Sequence, residues 1–197
     1  MDYKKSLEKL IIEKGGLITT KEVEAAGIPR YYLTWLTREG KLKRVAHGVY
    51  TRSQQPDDKL YRLQARSNRI IFSHETALYL HGLTSRGPLE CSVTVPRGYN
   101  GSNLREEGIR VYTVKKENFQ MGVVNLKSNY GREIKVYDKE RTICDLVRNR
   151  NNMDITILNE GIKKYIDAPD RNISLLLKYS KELNVQKIIT NYMEILL

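Results

Sequence analysis

Some short patterns in this 197-residue chain are of types that could do chemistry. His74 and His81 stand seven apart on a helix-like stretch, so they share a face, as two metal ligands would. Zinc on a helix more often takes i, i+4 histidines with a third ligand near. Leu78, Leu80 and Leu83 around the pair instead suggest histidines that are buried and hydrogen-bonded. Glu133-Ile134-Lys135 has the form of the acid-x-lysine end of a metal-dependent nuclease site. Such a site shares its cation with an upstream acid, usually Asp, and no Asp stands between Asp58 and Asp138. Strand alternation turns Glu133 and Lys135 outward and Ile134 and Val136 inward. Gly101-Ser102 could begin a nucleotidyltransferase motif, but residues 103–116 offer only the adjacent Glu106 and Glu107 as acids, on opposite faces of any strand. Arg97 to Asn103 therefore reads as a glycine-rich surface loop. Cys91 and Cys144 are too isolated to form a ligand set. Arg141 and Asp145, at i, i+4, are expected to form an exposed helix ion pair worth roughly a few tenths of a kcal/mol. The expectation is a protein that is not an enzyme, with no catalytic residue, metal or cofactor.

A second kind of chemistry is better supplied, namely recognition of an anionic polymer. The formal charge is +11, from 34 Lys and Arg against 23 Asp and Glu. Such an excess favours nucleic acid, an anionic membrane face or an acidic protein as partner. The charge is unevenly placed. Residues 1–28 hold five lysines and five acids, whereas residues 29–58 hold six basic residues and three acids. Arg30, Tyr31, Thr34 and Arg38 recur near a 3.6-residue spacing with no carboxylate among them, the equipment of a major-groove reader. Thr37 and Lys41 fall on the same side. Lys43, Arg44 and Arg52 would contact phosphates, which position a protein without reading sequence. Thr20, Lys21, Lys41 and His47 complete the candidate DNA-binding set. His47 would enter a minor groove or serve as a turn residue tolerating positive φ.

The elements that must hold these side chains are legible in the first 55 or so residues. Leu7, Leu10, Ile11 and Lys14 keep the rhythm of an amphipathic helix ending at Gly15-Gly16. After a brief extension at Leu17-Ile18, Thr19 or Thr20 caps a second helix, with Glu22 or Glu24 in its first turn and Gly27 after its end. Pro29 opens a third helix over residues 29–39, whose Ile28, Tyr32, Leu33, Trp35 and Leu36 turn inward. Two β-rich runs, Lys41 to Val45 and Val49 to Thr51, flank a Gly48 turn and predict a hairpin. Three helices followed by a basic hairpin is the winged helix-turn-helix order. The alternative use of such a module is protein docking; the concentration of positive charge in the third helix and wing favours double-stranded DNA.

A polar linker at residues 53–58 separates this domain, residues 1–55, from a second over residues 59–197. The second domain carries 23 basic and 15 acidic residues, so RNA is a further candidate partner for it. Helix signals cover 59–68 and 74–82, and strand signals cover 90–95, 109–115, 122–127 and 132–137. Asp138 caps a helix, and three more helices close the chain. Their inward stripes are Ile155, Leu158, Ile162 and Ile166; then Leu175, Leu176, Tyr179 and Leu183; then Ile188, Ile189, Tyr192 and Leu196. The whole is an α+β protein: a winged helix-turn-helix followed by an α+β domain with a small sheet and a C-terminal helical region. No apolar run approaches the ~20 residues a bilayer span needs, and Asp2, Lys4 and Lys5 do not open a signal peptide. Two cysteines fit a reduced cytoplasmic protein.

The run Ser73-His74-Glu75-Thr76-Ala77-Leu78-Tyr79-Leu80-His81-Gly82-Leu83 resembles the hallmark helix of the AbiEi family, antitoxins of type IV toxin–antitoxin systems linked to abortive phage infection. Val93-Thr94-Val95-Pro96, the stretch Val136 to Leu146 and Gly48-Val49-Tyr50 are similar too, and the order is kept over nearly the whole chain. The sequence departs from the family pattern at His47. The resemblance implies a transcriptional autorepressor that binds inverted repeats in its own promoter and carries a C-terminal antitoxin domain. It also implies a nucleotidyltransferase-like toxin, countered without a stable complex. Two other readings stand beside it: a DNA-binding nuclease or transferase, and a plain winged-helix transcription factor whose second domain senses a ligand.

Overall fold

The computed structural model describes residues 2–54 and 58–196, with side chains placed through residue 194. Residues 55–57, at the centre of the expected linker, and the side chain of Leu196, expected in the core, lie outside the described residues. The chain divides into two compact units, one of residues up to Asn68 together with Lys127–Ile134, the other of Arg69–Leu126 and Lys135–Leu197. Residues 59–68 and 127–134, expected in the second domain, are thus counted with the first unit.

In the first unit, α1 (Tyr3–Glu13) is capped by the Asp2 carboxylate, which accepts from the Lys5 amide at 3.3 Å. After β1 (Leu17–Thr19), the choice of cap for α2 (Thr20–Ala25) falls on Thr19. The Thr19 hydroxyl accepts from the Glu22 amide at 3.3 Å, and the Glu22 carboxylate accepts from the Thr19 amide at 2.8 Å, a capping box that satisfies two otherwise orphaned donors. Helix α3 spans Tyr31–Arg38, so Arg30 is its N-cap rather than part of its face. Strands β2 (Leu42–Ala46) and β3 (Val49–Arg52) form the hairpin, and β1 adds to β3 in the antiparallel order β1-β3-β2. Leu7, Ile11, Ile18, Val23, Ile28, Leu33, Leu36 and Leu42 make the core under these elements. This is a winged helix-turn-helix. Helix α4 (Lys59–Arg66) follows, capped by buried Asp58, whose second oxygen accepts from the Ser128 hydroxyl at 2.5 Å. Arg132, from the same tip as Ser128, donates to the Gly15 carbonyl at 2.8 Å and lies over the Tyr61 ring.

In the second unit a mixed sheet runs β6-β5-β4-β8-β7 among the described residues. Its members are β4 (Ile71–Phe72), β5 (Ser92–Pro96), β6 (Arg110–Val114), β7 (Val123–Lys127) and β8 (Glu133–Tyr137). The two-residue β4, which pattern reading does not find, is the middle strand, antiparallel to β5 and parallel to β8. On β8, Ile134 and Val136 are buried while Glu133 and Lys135 are exposed, as alternation requires. Helix α6 (Ser102–Glu106) occupies part of what reads as a loop. Helices α5 (His74–Leu80), α7 (Lys139–Arg148), α8 (Ile155–Asp167), α9 (Ile173–Glu182) and α10 (Gln186–Leu196) complete the unit.

Helix α7 lies at the centre of the packing, with Glu140 through Val147 all buried. Gly161 of α8 permits close approach to α5: a Cβ there would stand 2.8 Å from a Leu78 methyl carbon. The inward stripe of α8 holds at Leu158, Ile162 and Ile166, but Ile155, in its first turn, is 49% exposed. On the last helix Ile189 and Met193 are buried, whereas Ile188 and Tyr192 pack at the edge of the cluster.

The expected exposed ion pair between Arg141 and Asp145 is present at 3.0 Å but fully buried. The (i, i+4) spacing marks a pair without telling which side of the helix faces the core. Arg141 stacks on the Tyr137 ring at 4.2 Å and donates to the carbonyls of Asn118 (2.8 Å) and Met121 (3.1 Å).

Candidate nucleic-acid interface

One open groove of about 610 Å³ in the first unit gathers side chains from the start of α2, the α3 region, the wing and the end of α4. Thr20 and Lys21 come from α2, Arg30 and Thr34 from α3 and its cap, and Arg44 and His47 from the wing. The wing is held in place locally. Gly48 at the turn has φ +67°, and its carbonyl accepts from the Thr20 amide at 2.8 Å and the Thr20 hydroxyl at 3.3 Å. A Cβ at Gly48 would meet that hydroxyl at 3.3 Å, so both the turn and the close approach favour glycine. Among the described residues the positive φ of the turn belongs to Gly48, not to His47. His47 accepts at Nδ1 from Arg44 at 3.1 Å, which links the two wing residues across the turn.

The groove also contains a carboxylate that the α3 pattern did not announce. Glu24 of α2 lines it and pairs with Arg30. That hydrogen bond holds the Glu24 carboxyl below its ordinary pKa and the Arg30 guanidinium above its own. Tyr50, Ala65 and Arg66 complete the lining. Arg66 sits on α4, whose sequence pattern is amphipathic and basic.

The remaining candidates divide by surroundings. Tyr31 is 64% exposed and packs edge-on against Tyr32. Thr37 is half-buried and donates to the Leu33 carbonyl at 2.7 Å, so it faces its own helix. Arg38 and Lys43 are exposed and, like Lys21 and Arg52, have no ion-pair partner among the described residues. Lys41 and Arg52 line a different recess beside Glu8 and Ile12 of α1. There Lys41 lies 3.4 Å from both Glu39 and Glu8, and 5.9 Å from the centre of the Trp35 ring. Those two carboxylates, Glu39 first, push the Lys41 ammonium above its ordinary pKa. Lys41 is therefore neutralised locally, off the main groove.

The two histidines do not converge. His74 Nδ1 shares a hydrogen bond with the Ser73 hydroxyl and its ring stacks on Tyr112, while His81 donates from Nε2 to the Tyr137 carbonyl at 2.7 Å. Burial holds both imidazoles below their ordinary pKa, His74 down to about 3. Among the described residues no three His, Cys, Asp or Glu side chains are grouped as a metal would need. No described helix is long and apolar enough to cross a membrane.

A wing, a helix-turn-helix and a groove of exposed donors define the first unit as a module of the transcription-regulator class. Residues 5–53 match the model of a family described as a transcriptional regulator, AbiEi antitoxin. The fold is shared with the crystal structure of the RV2827C protein from Mycobacterium tuberculosis. The TM-score is 0.56 at 12% identity, over 90% of this chain and 72% of that one. No curated protein sequence matches the chain.

Proposed function

We propose that the protein is a type IV antitoxin that represses its own operon by binding inverted repeats in the promoter, and that it counters a nucleotidyltransferase-like toxin without forming a stable complex. The observation that carries the DNA-binding half is the groove, where Thr34 of the reading helix, Arg30 at its cap and the wing residues Arg44 and His47 converge. Arg30, Tyr31, Thr34 and Arg38 present donors and an aromatic ring to base edges; Lys43, Arg44 and Arg52 bind phosphates. Lys21 and Thr20 flank the backbone at the wing root. The antitoxin half rests on the regulator match over residues 5–53 and on the motifs from Ser73 to Leu146. The second domain, over residues 59–197, carries its own positive charge, which suits an RNA as well as a DNA backbone. The protein works in the cytoplasm, where both its operator and the toxin's target are found.

A gel-shift titration on the protein's own promoter tests the reading. Arg38→Ala is expected to weaken specific binding by ~1–3 kcal/mol and to lower discrimination against random DNA. Arg30→Ala is expected to do the same, less the Glu24 pairing it gives up. Wild-type binding by both variants would overturn the assignment of the reading helix. In the same cells, full-length protein carrying Lys43→Ala, Arg44→Ala and Arg52→Ala is expected to lose repression yet still rescue growth from the co-expressed toxin. Loss of both activities together would refute their separation.

A further inference from the structure

A second cavity, of about 210 Å³, opens in the second unit beneath the edge strand β6 and the end of α7. Its lining is rich in donors. His74, Tyr112, Arg141, Arg148 and Asn149 all contribute, and Asp145 is the single carboxylate.

Several features set this cavity apart from an ordinary surface dimple. His74 adopts φ +50°, a left-handed conformation that side-chain-bearing residues rarely take and that is held where the surrounding structure over-determines it. Its ring lies flat on Tyr112, with centroids 3.4 Å apart. Thr94 Oγ1, Ser73 Oγ and His74 Nδ1 form one hydrogen-bonded chain, with separations of 2.8 and 3.0 Å. In the tautomer protonated on Nε2, that N–H meets no protein acceptor among the described residues. Arg141 is fully buried, and its Nη2 has no hydrogen-bond partner among the described residues. A buried guanidinium nitrogen without an acceptor is costly, and an acceptor in the adjoining cavity would relieve it.

The charges point the same way. Asp145 is bonded to Arg141, so the two offset each other. Arg110 is engaged by Glu75 at 3.4 Å and Glu90 at 3.1 Å. Arg148 remains, exposed and without an ion-pair partner among the described residues. Asn149 donates through Nδ2 to the Tyr112 hydroxyl at 3.2 Å, which leaves the hydroxyl hydrogen and a second amide hydrogen to offer.

We infer that this cavity is a binding site for a phosphate oxyanion, either free phosphate or the phosphoryl group of a small ester. Arg148 provides the charge, Arg141 Nη2 a buried donor without a partner, and Tyr112, Asn149 and the Nε2-protonated tautomer of His74 neutral donors. The cavity's size accommodates the oxyanion itself, with any ester body projecting outward past Arg148. The site is separate from the groove of the first unit, and its occupancy gives the second unit a ligand to sense.

The test uses the full chain and inorganic phosphate as probe. In wild-type protein, added phosphate is expected to bind saturably by calorimetry and to move the His74 Nε2 resonance in nitrogen-15 spectra. Arg148→Ala, an exposed change that spares the core, is expected to weaken that binding at least about tenfold. It should leave promoter binding unchanged. Arg148→Lys should restore only part, because the fork geometry is lost. Adenosine monophosphate competing with phosphate assigns the site to esters, and its exclusion assigns it to the free ion. Absence of saturable binding overturns the inference. So does binding that survives Arg148→Ala but disappears when Lys43 and Arg44 are replaced, because that places the anion on the wing.

Discussion

Arg44 in the wing and Arg141 in α7 carry the same guanidinium into opposite surroundings. Arg44 is exposed, with its nearest partner a turn histidine on the same hairpin. Arg141 is buried beside Asp145, the Tyr137 ring and two carbonyls, with Nη2 left toward the cavity. In the first unit positive charge stays at the surface, ready to exchange water and ions for phosphate. In the second, one cation is locked into the architecture around α7. Net charge alone does not distinguish these uses. Solvation does: an exposed arginine loses little by changing partners, whereas a buried one destabilises the fold if its partner is removed.

The largest effect expected from breaking this contrast is at Arg141. Arg141→Ala leaves Asp145 buried without its cation, and the second unit is expected to lose about 3–5 kcal/mol by denaturant unfolding. Arg141→Met combined with Asp145→Leu removes both charges and should recover much of that loss. If the double variant is as unstable as the single one, the carbonyl contacts rather than the ion pair hold α7.

A smaller effect is expected from acid. The His74 pKa is about 3 in the folded protein, against an ordinary 6.5, because burial and the neighbouring arginines disfavour the charged ring. Below 6.5 the unfolded chain takes a proton that the folded one refuses. Stability contributed by neutral His74 is therefore present above pH 6.5 and lost as pH falls toward 3, at up to ~1.4 kcal/mol per pH unit. Asp138 works in the other direction, since burial raises its carboxyl to about 6. His74→Asn keeps a residue that tolerates positive φ, and it leaves Asp138 and His81 in place. The stability gap between wild type and variant should shift in favour of the variant as pH falls from 6.5. Parallel pH curves for the two proteins would exclude a buried neutral His74.

The smallest effect sharpens the contrast within the first unit itself. Lys43→Ala should flatten the slope of log DNA affinity against log salt by ~1, as one lost phosphate contact does. Lys41→Ala, already paired with Glu8 and Glu39, should change the slope by less. Equal changes would mean that DNA draws Lys41 out of its recess.

Much of the first unit was legible because its signals are local. Gly15-Gly16, the Thr19–Glu22 capping box, Pro29 and the Gly48 turn each act within a few residues. The order of helices and wing strands follows from them. The groove itself was only partly legible. Helical spacing marks Arg30 and Thr34 and the basic wing marks Arg44 and His47, but Glu24 and Arg66 enter from other helices, and Lys41 and Arg52 line another recess.

The sequence by itself determined the longer helices, the wing hairpin and where the exposed positive charge concentrates, because turns, caps and periodicity are set by neighbours in the chain. Only the tertiary structure decided the rest. Two residues, Ile71 and Phe72, form the middle strand of the larger sheet because β5 and β8 supply their hydrogen bonds. Arg141 is buried because the Asn118–Gly122 segment and Tyr137 fold against its side of α7, which an (i, i+4) spacing cannot report. His74 stacks on Tyr112 and faces a cavity because β6 is brought beside α5 through long-range pairing. Burial is a property of the whole packing, and it set the roles of these charged and titratable side chains.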